Sequence, residues 1–437
     1  MSGRDGALEA GAALPEFRSE RFLRAHIAAT MAFYHPRAID PRGGFFHYFR
    51  DDGRVYDTCH RHLVSSTRFV FNYALAAGEF ANDAALARDY RDAARHGLAF
   101  LRERHRDAAS GGYAWTLRDG APEDRTQHAY GAAFVLLAYA CACRAGLEEA
   151  RPWMEETWAL LEARYWDADA GLYRDEADRA WHFSDYRGQN SNMHLCEALL
   201  AAHQASGAPR YLERALTLAD HVTRRQALKA GGLVWEHYDR DWNLDLEYHR
   251  EEPRHLFRPW GFQVGHQTEW TKLLLTLAER LQGAPAARPG TPTARPGAPA
   301  AAVPPAAAPA WLVPRAQALF DAAVARGWDD EYGGLYYGFA PDGRVCDTDK
   351  YFWVQAESLA AAARLAVATG AAHYWEWYER LWSYAWRHFV DHRYGAWYRI
   401  LDCCNARYDD EKSPAGKTDY HTMGACYEVL HLLRSAH

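Results

Sequence analysis

The chain has 437 residues, of which 49% are hydrophobic and 24% charged, and its net charge at pH 7 is −7. This composition is that of a folded globular protein with a large core, and the acidic balance argues against nucleic-acid binding. No stretch of about 18 apolar residues occurs, and the first residues lack the basic and apolar regions of a secretory signal. We therefore expect a cytoplasmic protein that binds neither nucleic acid nor membrane.

A glycine-aromatic phrase recurs six times along the chain. Its copies lie at 42–55, 111–120, 171–181, 231–242, 333–345 and 395–402. Their marker glycines are 68, 60, 60, 102 and 62 residues apart. Each copy alternates aromatic and polar residues around a turn, which predicts a short β-hairpin. The regular spacing indicates an internal repeat.

Two helical patterns accompany each hairpin. The more charged pattern precedes it, at 16–34, 83–105, 147–165, 209–227, 310–328 and 371–390. The pattern rich in Ala and Leu follows it, at 60–77, 126–145, 190–206, 262–283, 350–369 and 418–434. Six helix pairs of this kind predict an all-α fold, an (α/α)6 barrel with six inner and six outer helices and short β-hairpins at one end. An open α-solenoid is the structural alternative.

The one long spacing contains the segment 284–309, with 8 Pro and 11 Ala in 26 residues. The repeat resumes in phase after it, so we interpret it as a disordered loop inserted within one catalytic domain, 1–437. Residues 1–15 are expected to be a disordered N-terminal arm. The eight cysteines form no C-x-x-C motif and are expected to be reduced, mostly buried thiols.

Aligning the inner helices brings polar residues into register. Four carboxylates share one position: Glu197, Glu269, Glu357 and Glu428. Arg68 takes the corresponding place in the first repeat. His194 and His266 each precede the glutamate of their own helix by three residues, and Asn190 and His421 precede theirs by seven. Positions i, i+3 and i+7 share a helix face, so a closed barrel would direct these side chains to its axis. The N-terminal ends of the helices would favour developing negative charge there.

Two imidazoles can exchange protons with carbon acids and hydroxyls near neutral pH, so acid–base chemistry fits this group best. A metal site of the three histidines and a Glu is one competitor, but no short ligand spacing such as H-E-x-x-H occurs. A glycosidase with two carboxylates is another, although the paired histidines would then be surplus. The chain has no G-x-S-x-G, P-loop or G-x-G-x-x-G motif.

Five phrases carry a family resemblance: HLVSSTRFV, RGQNSNMHLCEA, FRPWGFQVGHQTEW, KYFWVQAESLAAA and KTDYHTMGACYE. They resemble the N-acylglucosamine 2-epimerase superfamily, most of all its D-mannose isomerase (aldose–ketose isomerase) branch. The resemblance implies metal-independent and cofactor-free interconversion of D-mannose and D-fructose, with D-lyxose and D-xylulose as a second pair, through a cis-enediol. A sugar 2-epimerase is the alternative, and an α/α-barrel glycosidase the weaker one.

The resemblance also implies roles for individual residues. His266 and His421 match the two catalytic histidines. The residues that match the sugar site are Arg68, Asn190, His194, Arg258, Glu269, Trp353 and Glu357. Glu269, one turn from His266, is expected to orient that imidazole. The partner implied is a monosaccharide substrate, and a homo-oligomer is compatible with the sequence.

Overall fold

The computed structural model describes residues 13–255, 257–283 and 308–435. The α-helices, in chain order, are α1 (Glu20–Tyr34), α2 (Leu63–Glu79), α3 (Ala84–Phe100), α4 (Ala129–Arg144), α5 (Ala150–Leu160), α6 (Gln189–Ser206), α7 (Pro209–Asp220), α8 (Ala227–Lys229), α9 (Val264–Gly283), α10 (Leu312–Gly327), α11 (Phe352–Thr369), α12 (Ala372–His388) and α13 (Tyr420–Ser435). Helices α3, α5 and α7 continue as π-helical segments at Leu101–His105, Leu161–Tyr165 and His221–Gln226.

The helices form two concentric rings. Helices α2, α4, α6, α9, α11 and α13 form the inner ring, in which each packs on the next and α13 packs back on α2. Each outer helix packs on the inner helix that precedes it, and α1 completes the outer ring by packing on α13. The inner helices are rich in small and apolar residues because they are enclosed on nearly every side. The predicted (α/α)6 barrel is confirmed, and the open solenoid is excluded.

Short strands line one end of the barrel. They are β1 (Tyr48–Arg50), β2 (Val55–Asp57), β3 (His60–His62), β4 (Thr116–Arg118), β5 (Ala121–Asp124), β6 (Gln127–His128), β7 (Trp166–Asp167), β8 (Leu172–Tyr173), β9 (Glu176–Ala177), β10 (Arg187–Gly188), β11 (His237–Tyr238), β12 (Phe262–Gln263), β13 (Gly338–Phe339), β14 (Val345–Asp347), β15 (Lys350–Tyr351), β16 (Ile400–Leu401) and β17 (Glu411–Ser413).

The strand pairing runs around the ring. The strand that leads into an inner helix pairs with the hairpin of the next repeat, as in β3–β4, β6–β9, β10–β11, β12–β13 and β15–β16. The last such strand, β17, pairs antiparallel with β1 of the first repeat, with Phe49 opposite Ser413. The chain therefore closes on itself through backbone hydrogen bonds as well as through helix packing.

Three repeats share a buried ion pair with the same separation of 21 residues. Asp40 binds Arg61 at 2.6 Å, Asp329 binds Lys350 at 2.7 Å, and Asp391 binds Lys412 at 2.6 Å. Each aspartate follows an outer helix, and its other carboxylate oxygen accepts backbone N–H groups of the turn that follows. Each basic residue lies in the strand before an inner helix. The pairs thus tie the two halves of a repeat together.

The Pro/Ala-rich segment 284–309 lies outside the described residues except for its last two, as does most of the arm 1–15. Their predicted disorder and the prediction of one domain therefore stay predictions. Within the described part of the chain, no helix is long and apolar enough to span a membrane.

The Lys412→Met variant tests the buried Asp391–Lys412 ion pair, whose lysine lies in β17, the strand that closes the ring. Lys412 is 0% exposed, and its removal would leave Asp391 and Asp51 as buried carboxylates without their ammonium. We expect a loss of about 3 kcal/mol in the free energy of unfolding, measured as a lower melting temperature. The control is Arg50→Ala in the same sheet, since the Arg50–Asp410 pair is solvent-exposed and worth less than about 1 kcal/mol. Equal melting temperatures for both variants would contradict the role of Lys412.

Candidate active site

A pocket opens on the barrel axis at the end where the inner helices begin. Side chains of all six inner helices border it, together with residues of the connecting loops. The lining residues are Arg68, Tyr130, Asn190, His194, Phe257, Pro259, His266, Glu269, Tyr337, Tyr351, Phe352, Trp353, Arg399, Ile400, Pro414, Ala415, Gly416, Lys417 and His421. The N-terminal ends of the inner helices surround this space, so their dipoles favour negative charge within it.

His266 is held by a buried carboxylate. Its Nδ1 lies 2.9 Å from Oε2 of Glu236, and that oxygen also accepts a hydrogen bond of 2.8 Å from the Gln189 amide. Trp270 donates its indole N–H to the amide oxygen of Gln189 at 2.7 Å, which fixes the orientation of the amide. With the Nδ1 proton donated to Glu236, Nε2 is free to accept a proton. Glu236, rather than the expected Glu269, therefore orients this imidazole.

His421 is held in the same way from a different helix. Its Nδ1 lies 2.7 Å from Oε1 of Glu357, which is 2% exposed. The Lys272 ammonium lies 2.6 Å from the other oxygen of Glu357 and stabilises its charge. Burial and the nearby Arg68 guanidinium hold the pKa of His421 well below its usual range. The imidazole is therefore neutral at neutral pH, with Nε2 as the available base.

Trp353 lies between the two histidines. Its ring centroid is 5.1 Å from that of His266 and 5.8 Å from that of His421. The guanidinium of Arg68 also borders the pocket. Its orientation is fixed by hydrogen bonds that it donates to the carbonyl of Gly416 and, at 3.3 Å, to the hydroxyl of Tyr130. An aromatic face, a guanidinium and two imidazoles thus share one small space.

A row of buried charges forms the floor of the pocket. Lys272 lies between Glu357, at 2.6 Å, and Glu197, at 3.9 Å. Glu197 in turn accepts a hydrogen bond of 3.1 Å from Nδ1 of His194. Beneath this floor, Glu197, Lys272 and Glu357 also border a second, polar cavity that opens at the opposite end of the barrel. A continuous series of hydrogen bonds and ion pairs therefore connects His194 to His421 through Glu197, Lys272 and Glu357.

The structure brings most of the predicted site residues together. Those that border the pocket are Arg68, Asn190, His194, His266, Glu269, Trp353 and His421. Glu357 lies beneath it and contacts His421 and Lys272 instead of the open space.

Two residues lie outside this set. Arg258 borders an adjoining cavity that shares Tyr130, Asn190 and Phe257 with the pocket, and its guanidinium there binds the carboxylate of Glu176 and stacks over the ring of Tyr186 at 3.9 Å. Glu428 was expected in the same layer as the other three glutamates. It instead binds the guanidinium of Arg364 and borders the cavity at the opposite end of the barrel.

Sequence analysis missed Glu236, Gln189 and Lys272. Lys272 follows Glu269 by three residues on the same helix, so helical periodicity was a signal for it. Gln189 adjoins Asn190 in the phrase RGQNSNMHLCEA, which carries part of the family resemblance. The orientation of its side-chain amide, however, depends on the hydrogen bond from Trp270. Glu236 lies in a loop before β11, within the fourth copy of the glycine-aromatic phrase, but that phrase predicted only a hairpin and not a contact with His266.

The comparison with known families agrees with this geometry. The model of the family described as N-acylglucosamine 2-epimerase (GlcNAc 2-epimerase) matches residues 44–290 and 302–425. The chain belongs to the N-acylglucosamine 2-epimerase family. Both predicted catalytic histidines fall within the matched ranges, as do the carboxylates Glu197, Glu236, Glu269 and Glu357.

Individual relatives and solved structures resemble nearly the whole chain. A D-mannose isomerase of Marinomonas mediterranea is 53% identical over 421 residues, which cover 96% of this chain and 99% of the relative. A crystal structure of D-mannose isomerase superposes with a TM-score of 0.88 at 52% identity, over 96% of this chain and 100% of the other. The cellobiose 2-epimerase of Spirochaeta thermophila superposes with a TM-score of 0.77 at 23% identity, over 95% and 98%, and shares the fold.

The Glu236→Gln variant tests how His266 is oriented. A neutral amide can donate a hydrogen bond to Nδ1, which would move the imidazole proton to Nε2 and remove the base from the pocket. We expect kcat for sugar isomerisation or epimerisation to fall about 100-fold, with the KM for the sugar changed less than about threefold. The melting temperature should change little.

The matched control is Glu428→Gln, a carboxylate outside the pocket that binds Arg364. It should leave kcat within about twofold of the unaltered chain. Similar losses of kcat in both variants would contradict the role of Glu236.

Proposed function

We propose that the protein is a metal-independent sugar isomerase that interconverts D-mannose and D-fructose. The observation that carries the proposal is the pair of histidines, His266 and His421, on either side of Trp353, each with Nδ1 bound to a buried carboxylate. The D-mannose isomerase of Marinomonas mediterranea, 53% identical along nearly the whole chain, supports mannose as the substrate. D-Lyxose, which lacks only the terminal hydroxymethyl carbon of mannose, is the second substrate.

The reaction needs a base, an acid and a site for negative charge. Nε2 of one histidine takes the proton from C2 of the open-chain aldose, and the electron pair of the C–H bond forms the C1–C2 double bond of a cis-enediolate. The same histidine returns the proton to C1 while the other histidine moves the proton between the hydroxyl oxygens. Arg68 and the N-terminal ends of the inner helices stabilise the enediolate charge.

The other groups bind the sugar. The Trp353 ring offers an apolar face to the C–H groups of the chain. Asn190, His194 and Glu269 offer hydrogen-bonding groups to the hydroxyls. The side-chain oxygen of Asn190 and both carboxylate oxygens of Glu269 have no hydrogen-bond partner among the described residues. These unpaired groups favour a ligand rich in hydroxyls.

A 2-epimerase is the second candidate, because two similarly built histidine–carboxylate pairs could also take and return a proton on opposite faces of C2. A glycosidase fits less well. It needs two carboxyl groups facing the scissile bond, whereas Glu357 and Glu197 are bound to Lys272 and to histidines beneath the pocket.

Proton NMR of EDTA-treated protein with D-mannose in D2O tests the proposal. We expect fructose to form without added metal. Glucose as the main product would favour a 2-epimerase of the glucose/mannose type. Unchanged mannose would reject both of these and leave a 2-epimerase of the N-acylglucosamine type.

Replacing the histidines tests the assignment of the acid–base pair. We expect His266→Ala and His421→Ala each to lower kcat more than about 1000-fold. Melting temperatures should change by only a few degrees, which shows that the loss is chemical. Substantial turnover in both variants would contradict the assignment.

The pH dependence follows from the buried state of His421. Its lowered pKa keeps the imidazole in its neutral, proton-accepting form down to pH values below the usual 6.5 of histidine. We therefore expect kcat/KM for mannose to stay level between about pH 6.5 and 8 and to fall only in more acidic solution. An acid limb centred above pH 7 would contradict this reading.

A further inference from the structure

Glu269 is an unusual carboxylate. It is 0% exposed, yet neither of its carboxylate oxygens has a hydrogen-bond partner in the described part of the chain, and it borders the pocket. Leaving a buried carboxylate without a partner is costly, so such a group points to a ligand. A sugar hydroxyl satisfies it during turnover, but the surrounding groups would also suit a cation.

The neighbouring groups have the spacing of metal ligands. Nδ1 of His194 lies 3.1 Å from Oε2 of Glu197 and 3.7 Å from Oε1 of Glu269. One ligand atom from each of the three residues fits within a mutual distance of 4.8 Å. Zinc bonds of about 2.1 Å in tetrahedral geometry place the ligand atoms about 3.4 Å apart. The two observed separations lie on either side of that value.

A second group, Glu269, Glu357 and His421, has similar spacing. The Lys272 ammonium lies 2.6 Å from Glu357 and only 3.9 Å from Glu197, so it competes with a cation mainly for Glu357. The group that contains His194 is therefore the better site.

The charges around the pocket floor include both signs. Three carboxyl groups, Glu197, Glu269 and Glu357, surround the ammonium of Lys272, and the Arg68 guanidinium also acts on Glu269. Lys272 is bound to Glu357 and Arg68 to Gly416, so neither cation forms a hydrogen bond with Glu269. A divalent cation would supply the partner that the Glu269 carboxyl group lacks.

We propose that His194, Glu197 and Glu269 form an inhibitory site for a divalent transition-metal ion, Zn2+ above all, in the floor of the sugar pocket. On binding, the proton of His194 Nδ1 moves by way of solvent to Nε2, and any proton on Glu269 is released. The remaining coordination position faces the pocket. The ion occupies groups that the sugar needs, so metal and sugar exclude each other. The inhibition rests on the proposed function, whereas the binding does not.

Equilibrium dialysis with Zn2+, followed by elemental analysis of the full chain, measures the binding directly. The half-buried Cys403 and the exposed Cys404, whose sulfurs lie 3.7 Å apart, are replaced by serine in every sample so that they do not bind the metal. We expect one Zn2+ per chain, weaker binding in acid, and displacement by excess D-mannose. The visible spectrum of the Co2+ form should be that of a four-coordinate ion with one nitrogen ligand.

Glu197→Gln and His194→Asn should each weaken Zn2+ binding at least 30-fold. The control Glu428→Gln should stay within about twofold, because that carboxylate binds Arg364 away from the site. Absence of stoichiometric binding, or equal affinity in Glu197→Gln and Glu428→Gln, would overturn the proposal.

Steady-state kinetics with mannose provide the second measurement. We expect Zn2+ to raise the apparent KM without lowering kcat, and EDTA to restore the original value. Activation by Zn2+ would overturn the inhibitory role. Binding without any turnover of mannose would instead reject the proposed function and leave the metal site supported, so the two failures are distinguishable.

Discussion

Closure of the inner ring is the constraint on which the rest of the molecule depends. Helix α13 packs on α2, and β17 pairs with β1, so the first and sixth repeats meet as neighbouring repeats do elsewhere. Only a closed ring brings the beginnings of six helices around one axis. The pocket, its aromatic wall and its favourable potential for negative charge all follow from that convergence.

Building such a pocket places a set of charged side chains in the protein interior beneath it. Lys272, Glu197 and Glu357 are paired with one another or with histidines, which is the arrangement that makes buried charge tolerable. The pairing also has a chemical effect. By holding the Nδ1 proton of His421, Glu357 leaves Nε2 as the atom available to accept a proton, and Glu236 does the same for His266.

The same features explain why one fold serves related reactions. In the proposed mechanism an isomerase returns the proton to C1 and a 2-epimerase returns it to the opposite face of C2, and both use a pair of imidazoles across a flat enediolate. Small differences in how the sugar is placed between the histidines decide the product. A carboxylate left unpaired for a sugar hydroxyl, as in Glu269, also makes the pocket vulnerable to metal ions.

The sequence by itself determined the barrel, because a repeat near 60 residues and two helices per repeat leave few ways to bury the apolar faces. It also indicated which side chains face the axis, since register on a helix is periodic: Arg68, His194, His266 and Glu269 all border the pocket. Only the tertiary structure decided which partner each group has. Glu236 binds His266 from a loop, Arg258 turns to Glu176, and Glu428 turns to Arg364. The physical reason is that helical periodicity fixes direction within one element, whereas a hydrogen bond between elements depends on distances of a few tenths of an ångström that arise only when the ring closes.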